Sequence, residues 1–272
     1  MGVDTTCIGT LGEKGTEVYD ALAEDCEVYS IAAHGRCTAL EFKDGKVMLA
    51  ENESMQIGPQ DILDNLGQEK LRELLSKNDL LCLVNWSELF RANQIWRMML
   101  TQFQSLENHP SIVFFDLSDL SARTRRDVQE CAALMAEYAR LCRVVLGLNE
   151  NEARILAQVL GIRSGEIAAL GRKLYEKLGV QDLVIHTNRD TYGFSHESGY
   201  AYGKAFVAEN PVALTGGGDN FNAGFCTGLL ADLPLESCIL LGNAASGYYV
   251  RHGKNTSYKG LLDFAEEYLR SR

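Results

Sequence analysis

The stretch Leu214-Thr215-Gly216-Gly217-Gly218-Asp219-Asn220-Phe221-Asn222-Ala223-Gly224-Phe225 holds the residues best suited to chemistry. Three successive glycines let a backbone turn tightly and approach a ligand. The apolar run after them, through Cys226 and Leu229-Leu230, suits a helix. The glycines therefore lead into a helix N-terminus, where unpaired N–H groups and the helix dipole favour an anion. An aspartate there can take a proton from a substrate hydroxyl while the N–H groups hold a phosphoryl group in transfer. Asp219 can also be a plain helix cap, the reading that glycines alone favour, and composition does not settle the choice.

A second candidate is Leu146-Gly147-Leu148-Asn149-Glu150-Asn151-Glu152-Ala153, between a strand at Val144 to Leu146 and a helix at Ala153 to Leu160. This is the carboxyl end of a parallel strand, where open α/β sheets bind ligands. Asn149 and Glu152 can offer an amide and a carboxylate to a metal–nucleotide complex. The same spacing is a capping box, and spacing alone favours the cap. Other chemistry is poorly supported. Gly199 to Lys204 contains a Gly-Lys pair, but Ala205 stands where a phosphate-binding loop needs Ser or Thr. The five His are scattered without metal spacing and read as structural or surface residues.

These candidates need a scaffold, and short apolar runs alternating with amphipathic stretches supply one. Strands are expected at Thr6 to Thr10, Glu27 to Ala32, Leu80 to Val84, Ile112 to Phe115, Val144 to Leu146 and Leu183 to His186. Helical stretches between them include Thr16 to Glu24, Glu88 to Gln104, Arg125 to Leu141 and Ile167 to Leu178. The alternation implies a mostly parallel sheet covered on both faces. Thr38 to Phe42 and Lys46 to Leu49, joined through Asp44-Gly45, read as a hairpin outside that sheet. It is either a decorated edge or part of a lid at about residues 36–51.

With 272 residues, the chain is expected to form one large domain. Its net charge of -11 argues against nucleic acid or an anionic membrane surface as partner. The 8 Cys lack C-x-x-C spacing and read as small buried hydrophobes in a reducing cytoplasm. No apolar run is long enough to span a bilayer.

Thr215 to Asp219, with Phe221 and Ala223-Gly224 after it, resembles the C-terminal signature of the PfkB, or ribokinase-like, carbohydrate kinases. Asn149 and Glu152 match that family's N-x-x-E motif. Thr187 stands where its nucleotide-side threonine follows a strand. Gly242 to Ser246 resembles the late helix bordering the adenine, and Ile8 to Glu13 the I-G-x-x-G-D stretch before the lid strands. The resemblance implies a three-layer α/β/α sandwich with a small β lid. It also implies ATP- and Mg²⁺-dependent phosphorylation of a sugar or related alcohol, and leaves room for a homodimer. Asp219 would be the general base and Gly216, Gly217 and Gly218 the anion hole, with Thr215, Thr187 and Asn243 on the nucleotide side. Asn149 and Glu152 would organise Mg²⁺, its water and the phosphates.

Three departures stand out. Ala213-Leu214 replace the family's Asp-Thr, which argues against a monovalent-cation requirement. Arg189 falls where glycine is usual. The family's opening strand, with its sugar-binding Asp, and the Gly-Gly-Asn helix have no match before Ile8. That departure carries an expectation of ATP–Mg²⁺ binding with poor sugar phosphorylation and a tendency to associate. A nucleoside kinase of the same superfamily, or a non-catalytic nucleotide- or sugar-binding protein, are the alternatives.

Overall fold

The computed structural model describes residues 2–42, 45–50, 54–163 and 165–270. The chain divides into two compact units, one chiefly of Asp79–Val84 and Pro110–Arg272, the other of Val3–Asn78 and Asn85–His109.

The first unit is built on a six-stranded sheet. Its order is β10 (Gly199–Lys204), β9 (Asp190–Ser195), β8 (Asp182–His186), β7 (Arg143–Asn149), β6 (Ile112–Asp116), β5 (Leu80–Leu83). Strands β5 to β8 are mutually parallel, and β9 and β10 return antiparallel. Successive side chains of a strand face opposite ways, and β6 shows where each face goes. Phe114 meets Phe225 of α8 (Gly217–Leu230), whereas Phe115 meets Tyr138 of α5 (Arg125–Tyr138), with ring centroids 6.4 and 5.4 Å apart. Helices α6 (Glu150–Val159) and α7 (Ile167–Leu178) lie with α5 on one face, and α9 (Leu235–His252) with α8 on the other. The expected three-layer α/β/α sandwich is thus present. Helix α10 (Tyr258–Arg270) packs on α9, where Tyr268 stacks on Phe206 at 4.2 Å.

The core between the sheet and α8–α9 contains Phe114, Val145, Val184, Phe221, Phe225, Leu229 and Ile239, all nearly inaccessible. Glycine lets the two helices lie against each other. A β-carbon on Gly224 would fall 2.5 Å from the Leu241 carbonyl oxygen, and one on Gly242 would fall 2.8 Å from the Phe221 ring.

In the second unit, β1 (Thr6–Gly9) and β2 (Glu27–Ser30) pair in parallel across α1 (Glu17–Ala23). The hairpin is present as β3 (Cys37–Phe42) against β4 (Gly45–Ala50), although Asp44 of its turn lies outside the described residues. Helices α2 (Pro59–Leu66), α3 (Gln68–Lys77) and α4 (Ala92–Ser105) complete this unit. Arg72 ties α3 to α4 by donating to Ser105 Oγ at 2.6 Å. Buried Trp86 donates its indole N–H to Asn93 at 2.7 Å.

Of the cysteines described, Cys131, Cys226 and Cys238 are buried as expected, but Cys82 is exposed. Among the described residues no helix is long and apolar enough to cross a membrane.

The α8–α9 contact makes a testable demand. Helix propensity alone would make Gly224→Ala stabilising by about 1 kcal/mol. Overlap with the Leu241 carbonyl costs about 1–3 kcal/mol, and backbone cannot swing aside as a side-chain tip can. Gly224→Ala should therefore lower the melting temperature by several degrees, while Gly165→Ala, facing open space, should not. Equal melting curves for both variants would contradict the close packing.

Candidate active site

The carboxyl ends of β6, β7 and β8 and the start of α8 converge in one place. Register aligns Asp116 with Gly147, and Asn149 with His186, so parallel pairing alone brings these strand ends together. A β-carbon on Gly147 would fall 2.6 Å from the Phe114 ring and 3.3 Å from Asn222 Oδ1, so α8 lies directly over β7 here.

Helix α8 begins differently from the sequence expectation of a three-glycine turn. Only Gly216 is left-handed, at φ 93°, a conformation glycine adopts without strain. Gly217 and Gly218 already belong to the helix, so Asp219 sits in its first turn rather than at the cap. The plain capping role is therefore not what Asp219 does. Its carboxylate is exposed and, among the described residues, makes no side-chain hydrogen bond. The Gly217 N–H reaches the Leu214 carbonyl at 3.2 Å, but those of Gly218 and Asp219 find no acceptor among the described residues. Two unpaired donors at a helix start, beside an open carboxylate, form a place for an anion next to a base.

The second motif forms the full capping box and more. Asn149 Oδ1 accepts from the Glu152 N–H at 2.9 Å, and Glu152 Oε2 accepts from the Asn149 N–H at 2.8 Å. Asn149 Nδ2 also donates to Glu152 Oε1, at 2.5 Å. A box serving only as a cap can stand in solvent, yet Glu152 is 7% exposed. Burial pushes its carboxyl up to about 8, and the charges of Asp116, Asp119 and Asp219 add to the rise. Asp116 is also raised, first by burial, with Asp219 contributing. Its carboxylate accepts from Asn222 Nδ2 at 2.5 Å and from the Ser118 N–H at 2.9 Å, Ser118 being left-handed at φ 54°.

Acidic groups that raise one another's proton affinity suit a cation. Among the described residues, however, no three of them stand close enough to ligate a metal directly. This donor set fits a hydrated divalent ion completed by water and ligand oxygens.

Thr187 and Asn243 are less free. Thr187 Oγ1 accepts the N–H groups of Arg189 and Asp190 at 3.1 and 2.9 Å, closing the β8–β9 turn. Asn243, 4% exposed, accepts from Thr191 Oγ1 at 2.8 Å and so ties α9 to β9. Thr215 is exposed just before Gly216. Three residues at the site escaped sequence reading: Asp116, Asn222 and His186. Asp116 was one residue past the expected end of its strand, and the rule that ligands gather at carboxyl strand ends would have reached it.

Glu152 gives a pH test. Its folded pKa lies above the ordinary carboxyl value of 4.5, so the unfolded chain ionises first and stability falls as pH rises from about 4.5 to about 8. Glu152→Gln keeps a capping side chain and removes that loss. The variant should gain on the wild type between pH 5 and 9 without ligand, by on the order of 2–4 kcal/mol at the alkaline end. A melting-temperature difference that does not change with pH would show that Glu152 titrates normally.

The comparisons with known proteins bear on the family and the fold. The family model for prokaryotic ketohexokinase matches residues 1–268. The ketohexokinase of Haloferax volcanii is 28% identical over 271 residues, covering 99% of this chain and 72% of that protein. An uncharacterised sugar kinase of Escherichia coli is 33% identical over 111 residues, 41% of this chain and 34% of that protein. Among solved structures, the adenosine kinase of Sinorhizobium meliloti superposes with a TM-score of 0.75 at 17% identity, covering 98% of this chain and 78% of that one. The ribokinase of Thermotoga maritima superposes with a TM-score of 0.62 at 18% identity, covering 98% of this chain and 80% of that one. At such identities the structures speak for a ribokinase-like fold. By the family match, the chain belongs to the prokaryotic ketohexokinase family.

Proposed function

We propose that this chain is a carbohydrate kinase that transfers the γ-phosphoryl group of ATP to a hydroxyl of a ketohexose. The observation that carries this reading is the first turn of α8, where an uncapped, exposed Asp219 adjoins two unpaired backbone N–H groups. Asp219 takes the proton of the sugar hydroxyl as its oxygen attacks the γ-phosphorus, and ADP leaves. The Gly216–Gly218 turn, with the N–H groups of Gly218 and Asp219, holds the phosphoryl oxygens as charge builds on them. Asn149 and Glu152, with Asp116 nearby, would hold hydrated Mg²⁺. Mg²⁺, when bound, shields the phosphate charge from these carboxylates. Thr215, Thr187 and Asn243 border the nucleotide, Asn243 by fixing α9 against β9.

Family membership favours a ketohexose over a nucleoside as acceptor. The lid role of the β3–β4 hairpin and a homodimer remain part of the proposal. Leu40, Val47 and Leu49 are 44%, 48% and 55% exposed, an apolar surface suited to being covered. The cytoplasm, with its ATP, is the compartment this reaction requires.

Phosphorus NMR of ATP–Mg²⁺ with separate ketohexoses, aldohexoses, ribose and adenosine tests the acceptor. A sugar phosphate from a ketohexose is expected. Product from adenosine alone would favour the nucleoside kinase, and nucleotide binding without product the binding protein. Asp219→Asn should cut kcat about 10²-fold or more while leaving nucleotide affinity nearly intact. Near-normal turnover in that variant would remove Asp219 from the base role.

A further inference from the structure

His186 ends β8 between Asn149 of β7 and Thr191 of β9. Thr187, its neighbour, turns its hydroxyl into the β8–β9 turn, and strand alternation sends His186 the other way, toward α8. Its ring lies against Phe221, centroids 4.9 Å apart and planes tilted by 34°. A β-carbon on Gly218 would sit 3.5 Å from His186 Cε1 and 3.8 Å from Nε2. The imidazole therefore covers the residue whose N–H is one of the two left unpaired at the start of α8.

The ring is only partly exposed, yet no described residue takes or gives a hydrogen bond at either nitrogen. Neither nitrogen is among the buried polar atoms left without a partner, so the polar edge of the ring reaches the solvent from which a ligand comes. Leu or Phe could pack against Phe221 but could not hydrogen-bond such a ligand.

We propose that His186 is a further catalytic residue of the site, donating a ring N–H to a phosphoryl oxygen of the nucleotide held at the first turn of α8. The inference rests on the kinase reading of that turn. The backbone N–H of Gly218 and the imidazole then converge on one anion from two sides. Burial holds the imidazole neutral, down to about 4. A neutral ring keeps one N–H to donate and neutralises none of the neighbouring carboxylates.

Two substitutions separate this role from packing. His186→Phe keeps a ring against Phe221 and removes the donor, while His186→Asn restores a donor and gives up the ring. The expected result is a kcat about tenfold or more lower in His186→Phe, with KM for the ketohexose and the melting temperature near wild type. His186→Asn should recover part of kcat despite a lower melting temperature. Wild-type kcat in His186→Phe, or losses in both variants that follow only stability, would overturn the proposal. A readout independent of turnover is the ¹⁵N resonance of the His186 imidazole on addition of ADP–Mg²⁺ to the wild type. It should shift. An unmoved resonance with ADP bound would overturn the proposal even in an inactive preparation. Failure of the wild type to phosphorylate any ketohexose, with the resonance still shifting, would instead count against the kinase reading alone.

Discussion

Helix α8 lies against α9 and the sheet at a distance that β-carbons at residues 224 and 242 would forbid. The rest of the site depends on that approach. It seats Phe221 and Phe225 against Phe114 and His186, and so fixes the rotation of the helix. With the rotation fixed, Asn222 reaches Asp116, 106 residues away in sequence, and Asp219 is left facing outward one turn earlier. The left-handed Gly216 then lets the chain enter the helix without a side-chain cap, which leaves the first N–H groups for a ligand.

The electrostatics follow from the same placement. Glu152, in the first turn of α6, and Asp116, at the end of β6, are held where burial and neighbouring carboxylate charge make ionisation costly. The N–H groups of Gly218 and Asp219, without acceptors among the described residues, lie at the helix start whose Asp219 charge reaches both carboxyls. Clustered carboxylates favour a cation and helix-start N–H donors an anion, which is the pairing of charges that the proposed metal–nucleotide complex carries. Asn222 Oδ1 is buried beside Gly147 without a hydrogen-bond partner among the described residues.

Much of this fold was legible in the sequence because apolar periodicity reports burial directly. Strands β6 to β8 are buried on both faces and stand out as apolar runs, and α7 spans the expected Ile167–Leu178. The β9–β10 hairpin was not read. β10, an edge strand, exposes every residue but Ala201 at least in part, and Gly193 and Gly203 blur the pattern where the sheet meets Leu235 and Ile239. The glycines of residues 216–218 announced a helix start, but residue types could not say which one is left-handed. Asn222 and His186 were illegible for another reason. Their chemistry lies in contacts made by strand register and helix rotation, and neither is written in local composition.

The central claim is that the first turn of α8 is shaped for a phosphoryl group in transfer. Its most direct test is calorimetric titration of ADP–Mg²⁺ into the protein, with aluminium fluoride and a ketohexose added singly and together. A site complementary to the transition state should bind ADP at least about 10²-fold more tightly when both are present than with either alone. ADP affinity that is unchanged by the combination, under conditions where ADP itself binds, would contradict the account.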